Sequence, residues 1–167
     1  MISVVAPIYN EEGNIVELCD RIINVFKKHS YDYEIILIEN GSTDNSLKII
    51  KNLSDKNRRI KYLSLSRNFG HQGGILAGIK YAKGNAVISM DGDLQHPPEI
   101  IPEMIKLWEK GNDVVYTIKN LSANHKGWRF FPTLLFYKLI NRISSVELSY
   151  GQSDFRLLDR KVVDVLK

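Results

Sequence analysis

The chain has 167 residues, of which 44% are hydrophobic and 25% charged, and its formal net charge is +4. This length suits one domain with a substantial core, and the diffuse basic excess, without any run of Lys or Arg, does not indicate nucleic-acid binding. The single cysteine, Cys19, excludes an intrachain disulfide and a thiolate zinc cluster, and it indicates a reducing compartment. No apolar stretch approaches the roughly 18–20 residues needed to span a bilayer, and we expect no signal peptide.

Short apolar runs alternate with amphipathic segments along the chain. The apolar runs predict buried strands at 2–8, 33–39, 60–65, 85–90 and 113–118. The amphipathic segments predict helices at 12–29, 42–53, 73–82 and 98–110. This alternation predicts an α/β fold with a mainly parallel sheet flanked by helices, formed by one domain over residues 1–167. Because such sheets bind ligands at the carboxyl ends of their strands, we expect the site in the segments that follow the strands.

Two aspartates one residue apart, Asp91 and Asp93, follow the fourth predicted strand in the sequence MDGDLQHPPE. Carboxylates this close repel each other unless a cation lies between them, and closely spaced oxygen ligands suit Mg²⁺ or Mn²⁺. Gln95 would add a neutral oxygen ligand, and His96 is either a further ligand or a loop residue. Phosphatases with an aspartyl nucleophile also carry D-x-D after a strand, and a plain surface turn would contain the same residues. The motif alone therefore leaves a metal site, a phosphatase and a turn open.

The first predicted strand is followed by YNEEG. This sequence lacks the glycines that close backbone approach to a dinucleotide pyrophosphate requires. Glu11 and Glu12 are typical of a helix start, and Tyr9 could either stack on a base or pack against the protein.

The second predicted strand is followed by ENGSTD. Gly41 is expected to adopt an unusual backbone angle, and Ser42 or Thr43 to cap the next helix. The functional alternative is that Glu39 and Asn40 hydrogen-bond the edge of a nucleobase.

Two basic segments lie nearer the C-terminus. Residues 128–143, which include Arg129, fit either a core helix or an interfacial helix against lipid head groups. Further on, Arg156 pairs either with a phosphate or with Asp154, ahead of a helix that Asp159 caps.

Together these motifs resemble glycosyltransferase family 2, and within it the polyprenyl-phosphate branch, which is similar to dolichol-phosphate mannose synthase and bacterial undecaprenyl-phosphate glycosyltransferases. Five segments carry the resemblance, in the family's order: SVVAPIYNEEGNI, LIENGSTDNS, LSRNFGHQGGILAGI, MDGDLQHPPEIIPEM and SDFRLLDRKVV. The resemblance implies a GT-A fold, a nucleotide-sugar donor linked to UDP or GDP, a Mg²⁺ or Mn²⁺ ion, and a polyprenyl phosphate acceptor at a membrane surface.

The resemblance also implies roles for individual residues. Donor-binding positions fall on Pro7, Tyr9, Glu11, Glu39, Asn40, Asp91, Gly92, Asp93 and Lys119. Metal positions fall on Asp91, Asp93 and Gln95, and positions that bind the acceptor or its phosphate fall on Arg129 and Arg156. Catalytic positions fall on Asp93 and on Asp154, where some family members hold a base. Asn40 departs from the pattern, because the family usually has a second acidic residue there, and this leaves the choice between UDP and GDP open.

The expected reaction is an inverting transfer, in which a lipid phosphate oxygen attacks the anomeric carbon of the sugar and the nucleoside diphosphate leaves. The metal would stabilise the leaving diphosphate. A phosphate monoester is already an anion near neutral pH, since its second pKa is about 6, so a general base is less necessary than for a hydroxyl acceptor. An aspartyl-nucleophile phosphatase and a non-catalytic nucleotide-binding module remain as alternatives.

The last residues, DRKVVDVLK, predict the beginning of a helix, so we expect further helices or membrane segments to follow in the whole protein. The resemblance places that protein on the cytoplasmic side of a membrane. Nucleic acid is not among the expected partners, and a homo-oligomer is compatible with the resemblance.

Overall fold

A computed structural model of the chain describes residues 1–118 and 152–166. Its strands are β1 Ile2–Ile8, β2 Tyr33–Glu39, β3 Ile60–Ser64, β4 Ala86–Ser89, β5 Val114–Ile118 and β6 Gln152–Asp159. Its helices are α1 Ile15–His29, α2 Ser46–Lys56, α3 Gly70–Tyr81, α4 Ile101–Glu109 and α5 Arg160–Leu166, with a 3₁₀ turn at Pro98–Ile100. The chain divides into two compact units, Met1–Val115 with Asp154–Lys167, and Tyr116–Ser153, and every feature of the candidate site belongs to the first unit.

The strands form one sheet in the order β3-β2-β1-β4-β6-β5. β1 pairs in parallel with β2 and β4, and β2 pairs in parallel with β3, whereas β6 runs antiparallel to β4. The predicted α/β architecture with a mainly parallel sheet is therefore confirmed. Its carboxyl edge gathers the segments that follow β1, β2 and β4.

The central strands are buried on both faces, which is why they read as continuous apolar runs. Successive side chains of a strand point to opposite faces, so Val4 packs into the apolar cluster that contains α1. Val5 packs into a second cluster with Ile75 and Ile79 of α3. Cys19 lies in the first cluster, where burial, with a smaller contribution from the charge of Asp20, raises the pKa of its thiol to about 12.

Several predicted helix starts were wrong. α1 begins at Ile15 rather than at residue 12, and α2 begins at Ser46 rather than at residue 42. α3 begins at Gly70 rather than at residue 73, so its first turn belongs to the segment that follows β3.

The residues before Asp159, for which the sequence predicted no helix or strand, form β6, in which Phe155 and Leu157 alternate inward and are fully buried. The predicted cap is present, since the carboxylate of Asp159 accepts a hydrogen bond from the backbone N–H of Lys161 at 2.9 Å.

Within residues 1–118 and 152–166, no helix is both long and apolar enough to cross a bilayer. Lys119 and the basic aromatic segment 128–143 with Arg129 lie outside the described residues. The predictions made for them stay predictions.

Candidate active site

A cleft of about 470 Å³ opens at the carboxyl edge of the sheet. Its walls are formed by Pro7, Tyr9, Glu11, Asn40, Asn68, Gly70, His71, Asp91, Gly92, Asp93 and Asp154. The predicted donor-binding segments after β1, β2 and β4 thus meet at one place. Three predicted residues, Glu39, Gln95 and Arg156, are described by the structure but do not line this cleft.

The loops after β1 and β2 are held together by hydrogen bonds between their polar side chains. Asn10 has a φ of 55°, its backbone N–H donates to Ser42 Oγ at 3.1 Å, and its Oδ1 accepts from the backbone N–H of Thr43 at 2.8 Å. Glu12 donates its backbone N–H to Asp44 Oδ2 at 3.1 Å. These residues therefore bond across the two loops, and the prediction that Ser42 or Thr43 caps α2 was wrong.

Glu39 lies beneath the turn that follows β2. Its carboxylate is buried and accepts hydrogen bonds from the backbone N–H of Ser42 and, at 2.9 Å, from Ser64 Oγ. Gly41 has a φ of 75°, as predicted for this turn. The Glu39 carboxylate therefore stabilises the turn from below.

The two aspartates of the D-x-D motif lie at the mouth of the cleft on the loop after β4. The side chain of Asp91 is 28% exposed, but its Oδ1 is buried and accepts no hydrogen bond from the part of the chain that the structure describes. Asp93 Oδ1 accepts the backbone N–H of Gln95 at 3.0 Å, and Leu94 between them has a φ of 63°. A left-handed leucine costs about 1–2 kcal/mol, and such strain concentrates at functional sites.

Gly92 allows this loop to approach β1 closely. A Cβ at this position would lie 2.7 Å from Ile8 Cδ1 and 3.1 Å from the carbonyl oxygen of Pro7. A side chain at residue 92 would therefore force the Ile8 side chain and the loop between Asp91 and Asp93 to shift.

His96 is buried and supports Asp91 from behind. Its Nδ1 accepts the backbone N–H of Asp91 at 3.2 Å, and its ring packs against Phe155 at a centroid distance of 5.3 Å. The same Nδ1 lies 3.3 Å from Asp91 Oδ2, so the ring contacts both the backbone and the side chain of Asp91. Of the two predicted roles, the structure favours a loop-supporting residue over a ligand.

The antiparallel strand β6 brings Asp154 to the cleft. Ser89 pairs with Arg156, and continuing this register by two residues brings Asp154 opposite Asp91. Ser89 Oγ donates to the backbone carbonyl of Asp154 at 2.7 Å. The Arg156 guanidinium donates to Asp154 Oδ1, and Gln72 Nε2 donates to Asp154 Oδ2 at 3.1 Å. Of the two partners predicted for Arg156, the structure shows Asp154.

His71 is a site residue that the sequence did not reveal. Its Nε2 lies 3.1 Å from Asp91 Oδ1 and 3.4 Å from Asp154 Oδ2, between the two carboxylates. His71 lies in SRNFGHQ, a segment that follows the third predicted strand, and this was the one indication in the sequence. Because the next helix was predicted to begin at residue 73, His71 was assigned to no element.

The residues at this site fit a divalent ion that is completed by other ligands. Among the described residues, no group of three or more His, Cys, Asp or Glu side chains is arranged to hold a metal alone. Asp91 Oδ1 is buried and receives no hydrogen bond of good geometry from residues 1–118 or 152–166, although His71 Nε2 lies 3.1 Å away, and Asp93 lies two residues further along the chain. Mg²⁺ typically binds one or two carboxylates together with waters and substrate phosphates, which matches this pair.

A mainly parallel sheet with paired carboxylates at its carboxyl edge is typical of proteins that bind nucleotides through a metal. Residues 3–166 match the glycosyl transferase family 2 domain, and the chain belongs to this family.

The relatives with curated names are glycosyltransferases. An uncharacterized glycosyltransferase of Synechocystis is 42% identical over 99% of this chain and 52% of its own length. The prophage bactoprenol glucosyl transferase homolog of Escherichia coli is 36% identical over 99% and 54%. The undecaprenyl-phosphate 4-deoxy-4-formamido-L-arabinose transferase of Pseudomonas fluorescens is 33% identical over 99% and 48%. The chain thus spans about half the length of these relatives, and the resemblance to family 2 is confirmed.

Solved structures support the fold. The mannosyltransferase of Pyrobaculum calidifontis, solved in complex with GDP-Man and Mn²⁺, superposes with a TM-score of 0.62 at 17% identity, covering 99% of this chain and 46% of that one. At this identity the likeness concerns the fold alone, which is the GT-A fold that the resemblance implied.

Proposed function

We propose that this chain is the catalytic domain of a glycosyltransferase that moves a sugar from a nucleotide-sugar to a polyprenyl phosphate, with inversion and with a divalent ion. One observation carries the proposal. The D-x-D carboxylates, on the loop that follows β4, and Asp154 of β6 line one cleft at the carboxyl edge of the sheet, and Arg156 pairs with Asp154.

The donor side of the proposed site is the D-x-D loop. Asp91 and Asp93, with Gln95, would hold Mg²⁺ or Mn²⁺, and the bound ion would supply positive charge to the departing diphosphate. His96 fixes the backbone of Asp91 from behind, and Gly92 allows the loop to lie against β1. These contacts arrange the carboxylates before the ion arrives, which reduces the reorganisation that the reaction requires.

The nucleoside would lie along the remaining wall of the cleft. Tyr9 is 45% exposed there, and an exposed aromatic ring offers a face on which a base can stack. Pro7 and Glu11 complete this wall. The Asn40 Nδ2 group already donates to Asn68 Oδ1 and to the carbonyl oxygen of Gly70. Asn40 therefore does not indicate which base is bound, and the choice between UDP and GDP has to be measured.

The acceptor side is the start of β6. Both carboxylate oxygens of Asp154 already receive hydrogen bonds, from Arg156 and from Gln72. A carboxylate that already accepts these hydrogen bonds is better suited to orient Arg156 toward a phosphate than to abstract a proton from the acceptor. The phosphate nucleophile is already ionised near neutral pH, so it requires no base. An Asp154→Asn variant that retains a near wild-type rate would support orientation, and a loss of several orders of magnitude would support the predicted base.

The acceptor class is proposed from the relatives. The Escherichia coli relative is named for bactoprenol and the Pseudomonas fluorescens relative for undecaprenyl phosphate, both matched over 99% of this chain. A lipid phosphate implies action at a membrane surface, and we propose the cytoplasmic side, where nucleotide-sugars are expected.

The test is thermal unfolding with UDP- and GDP-sugars, each with and without Mn²⁺, followed by a transfer assay to undecaprenyl phosphate in detergent. A ligand at about 100 times its Kd stabilises by about 2.7 kcal/mol, which raises Tm by roughly 5–10 °C for a chain of this size. We expect this shift with one nucleotide class and only with Mn²⁺ present.

Substitutions distinguish the site from nonspecific ion binding. Asp91→Asn and Asp93→Asn should abolish the Mn²⁺-dependent shift, whereas Asp55→Asn, at an exposed position on α2, should retain it. If no nucleotide-sugar gives a Mn²⁺-dependent shift, the proposal fails. A shift without transfer to any lipid phosphate by the full-length protein would indicate a binding module, and release of phosphate from a simple ester would indicate a phosphatase.

A further inference from the structure

The side chain of Asn40, at the end of β2, is almost fully engaged by the turn at residues 68–70. It is 3% exposed, and its Nδ2 lies 3.2 Å from Asn68 Oδ1 and 3.1 Å from the carbonyl oxygen of Gly70. Its Oδ1 accepts the backbone N–H of Phe69 at 3.0 Å. Two acceptor oxygens beside Nδ2 and one donor N–H beside Oδ1 therefore fix the orientation of the Asn40 amide.

An acidic residue cannot make the same contacts. A carboxylate has no N–H to donate, so one of its oxygens would face Asn68 Oδ1 and the carbonyl of Gly70 with no proton between them. Losing both donated hydrogen bonds and placing a charge at a buried position are each unfavourable. The contacts between Asn40 and this turn therefore depend on an amide at position 40.

The backbone on either side of Asn40 is closely packed against neighbouring segments. A Cβ on the neighbouring Gly41 would lie 2.6 Å from the carbonyl carbon of Arg67, and a Cβ on Gly74 would lie 2.9 Å from Pro7 Cβ. The turn at 68–70 and the start of α3 are thus pressed against the ends of β1 and β2.

We propose that Asn40 is a positioning residue: it ties the turn at 68–70 to the end of β2 and thereby places His71 between Asp91 and Asp154. His71 directly follows the turn, whose last residue, Gly70, has a φ of 79°. A shift of this turn moves the imidazole away from both carboxylates. The inference rests on the proposed function only for the roles of Asp91 and Asp154 in the reaction.

This role deepens the proposed function by reassigning the one position that departs from the family pattern. Asn40 lines the cleft, but it acts through the turn and His71 rather than by reading a base. Recognition of the base then depends on other residues of the cleft.

The test compares the same chemical change at two hydrogen-bonded positions. Asn40→Asp removes two donated hydrogen bonds, whereas Asn57→Asp, at a position that does not line the cleft, retains the oxygen that accepts the backbone N–H of Arg59 at 3.0 Å. Two readouts are measured at one fixed pH. They are the NMR signals of the His71 ring and the affinity for the nucleotide that binds the wild type, with UDP and GDP each tried in Mn²⁺.

We expect Asn40→Asp to displace the His71 signals and to weaken nucleotide binding by roughly tenfold or more, while Asn57→Asp stays within about threefold of the wild type. Asn40→Ala, which removes the hydrogen bonds without adding a charge, serves if the first variant does not fold. Unchanged His71 signals in a folded Asn40 variant would overturn the inference, as would equal effects of the two aspartate variants. If the wild type binds neither nucleotide, the proposed function fails, whereas the His71 signals still test the positioning role.

Discussion

Gly92, between the two aspartates of the D-x-D motif, offers a direct test of how closely this loop must lie against β1. In Gly92→Ala, the new methyl group would be 2.7 Å from Ile8 Cδ1 and 3.1 Å from the carbonyl oxygen of Pro7. The Ile8 methyl can rotate away at the cost of an unfavourable rotamer, about 0.5–1.5 kcal/mol. The Pro7 carbonyl cannot move in this way, because it belongs to the backbone of a buried strand. The loop that contains residue 92 must therefore shift away from β1 by a few tenths of an ångström.

The expected magnitude follows from these two contacts. Inserting a methyl group into a packed interior costs about 1–3 kcal/mol, and a site where one of two neighbours can move belongs in the lower half of that range. A loss of about 1–2 kcal/mol lowers Tm by roughly 2–8 °C for a chain of this size. The withdrawal also displaces the carboxylates of Asp91 and Asp93, so nucleotide binding in Mn²⁺ should weaken.

Gly13→Ala is the matched control, because a Cβ at this exposed position meets no atom within 4 Å. It should leave Tm unchanged or raise it slightly, since alanine restricts the unfolded chain. Thermal unfolding of both variants, with and without UDP or GDP in Mn²⁺, measures both effects. If Gly92→Ala unfolds at the same temperature as Gly13→Ala and binds nucleotide as the wild type does, the reasoning from the close approach is refuted.

Two further predictions concern stability. Burial alone would raise the pKa of Glu34, but hydrogen bonds from Lys61 and Ser3, both at 2.6 Å, and from the backbone of Lys83 hold it below its ordinary value. The stabilisation is therefore present above the unfolded pKa of about 4.3 and is lost as the pH falls through the folded value. Glu34→Gln should cost about 1–3 kcal/mol at pH 7 and flatten the acid limb of a plot of stability against pH, and an unchanged slope below about pH 5 would contradict this. Leu94→Gly and Leu94→Ala both lose the packing of this half-buried side chain against the core, but only glycine relieves the left-handed strain, so Leu94→Gly should have the higher Tm of the two; a higher Tm for Leu94→Ala would count against stored strain at this loop.

The strands of the parallel part of the sheet could be predicted because burial on both faces gives them an unbroken apolar signal. β1 and β2 begin and end where the sequence predicted, since a polar turn follows each one directly. Helix starts were less certain. α1 and α2 begin later than predicted, because the polar residues before them form two loops that hydrogen-bond to each other.

The D-x-D carboxylates could be predicted from local sequence because their chemistry is contained in three residues. The role of Asn40 could not, since its partners lie 28 to 30 residues away and depend on how the turn before α3 packs. His71 was missed for the same reason. Nothing in the sequence SRNFGHQ indicates that its imidazole will lie between carboxylates from two other strands.

Asp154 shows how strand direction decides where a site residue can be found. The carboxyl ends of β1, β2 and β4 meet at one edge, so residues that follow these strands are natural candidates. β6 runs the other way, and it is its amino end that reaches this edge, as the pairing of Ser89 with Arg156 shows. At this edge the candidate residue lies before the paired part of β6, so a search limited to the residues that follow strands does not find it. The resemblance to the family identified Asp154, and the antiparallel register explains in physical terms why a residue far along the chain from Asp91 faces it across the cleft.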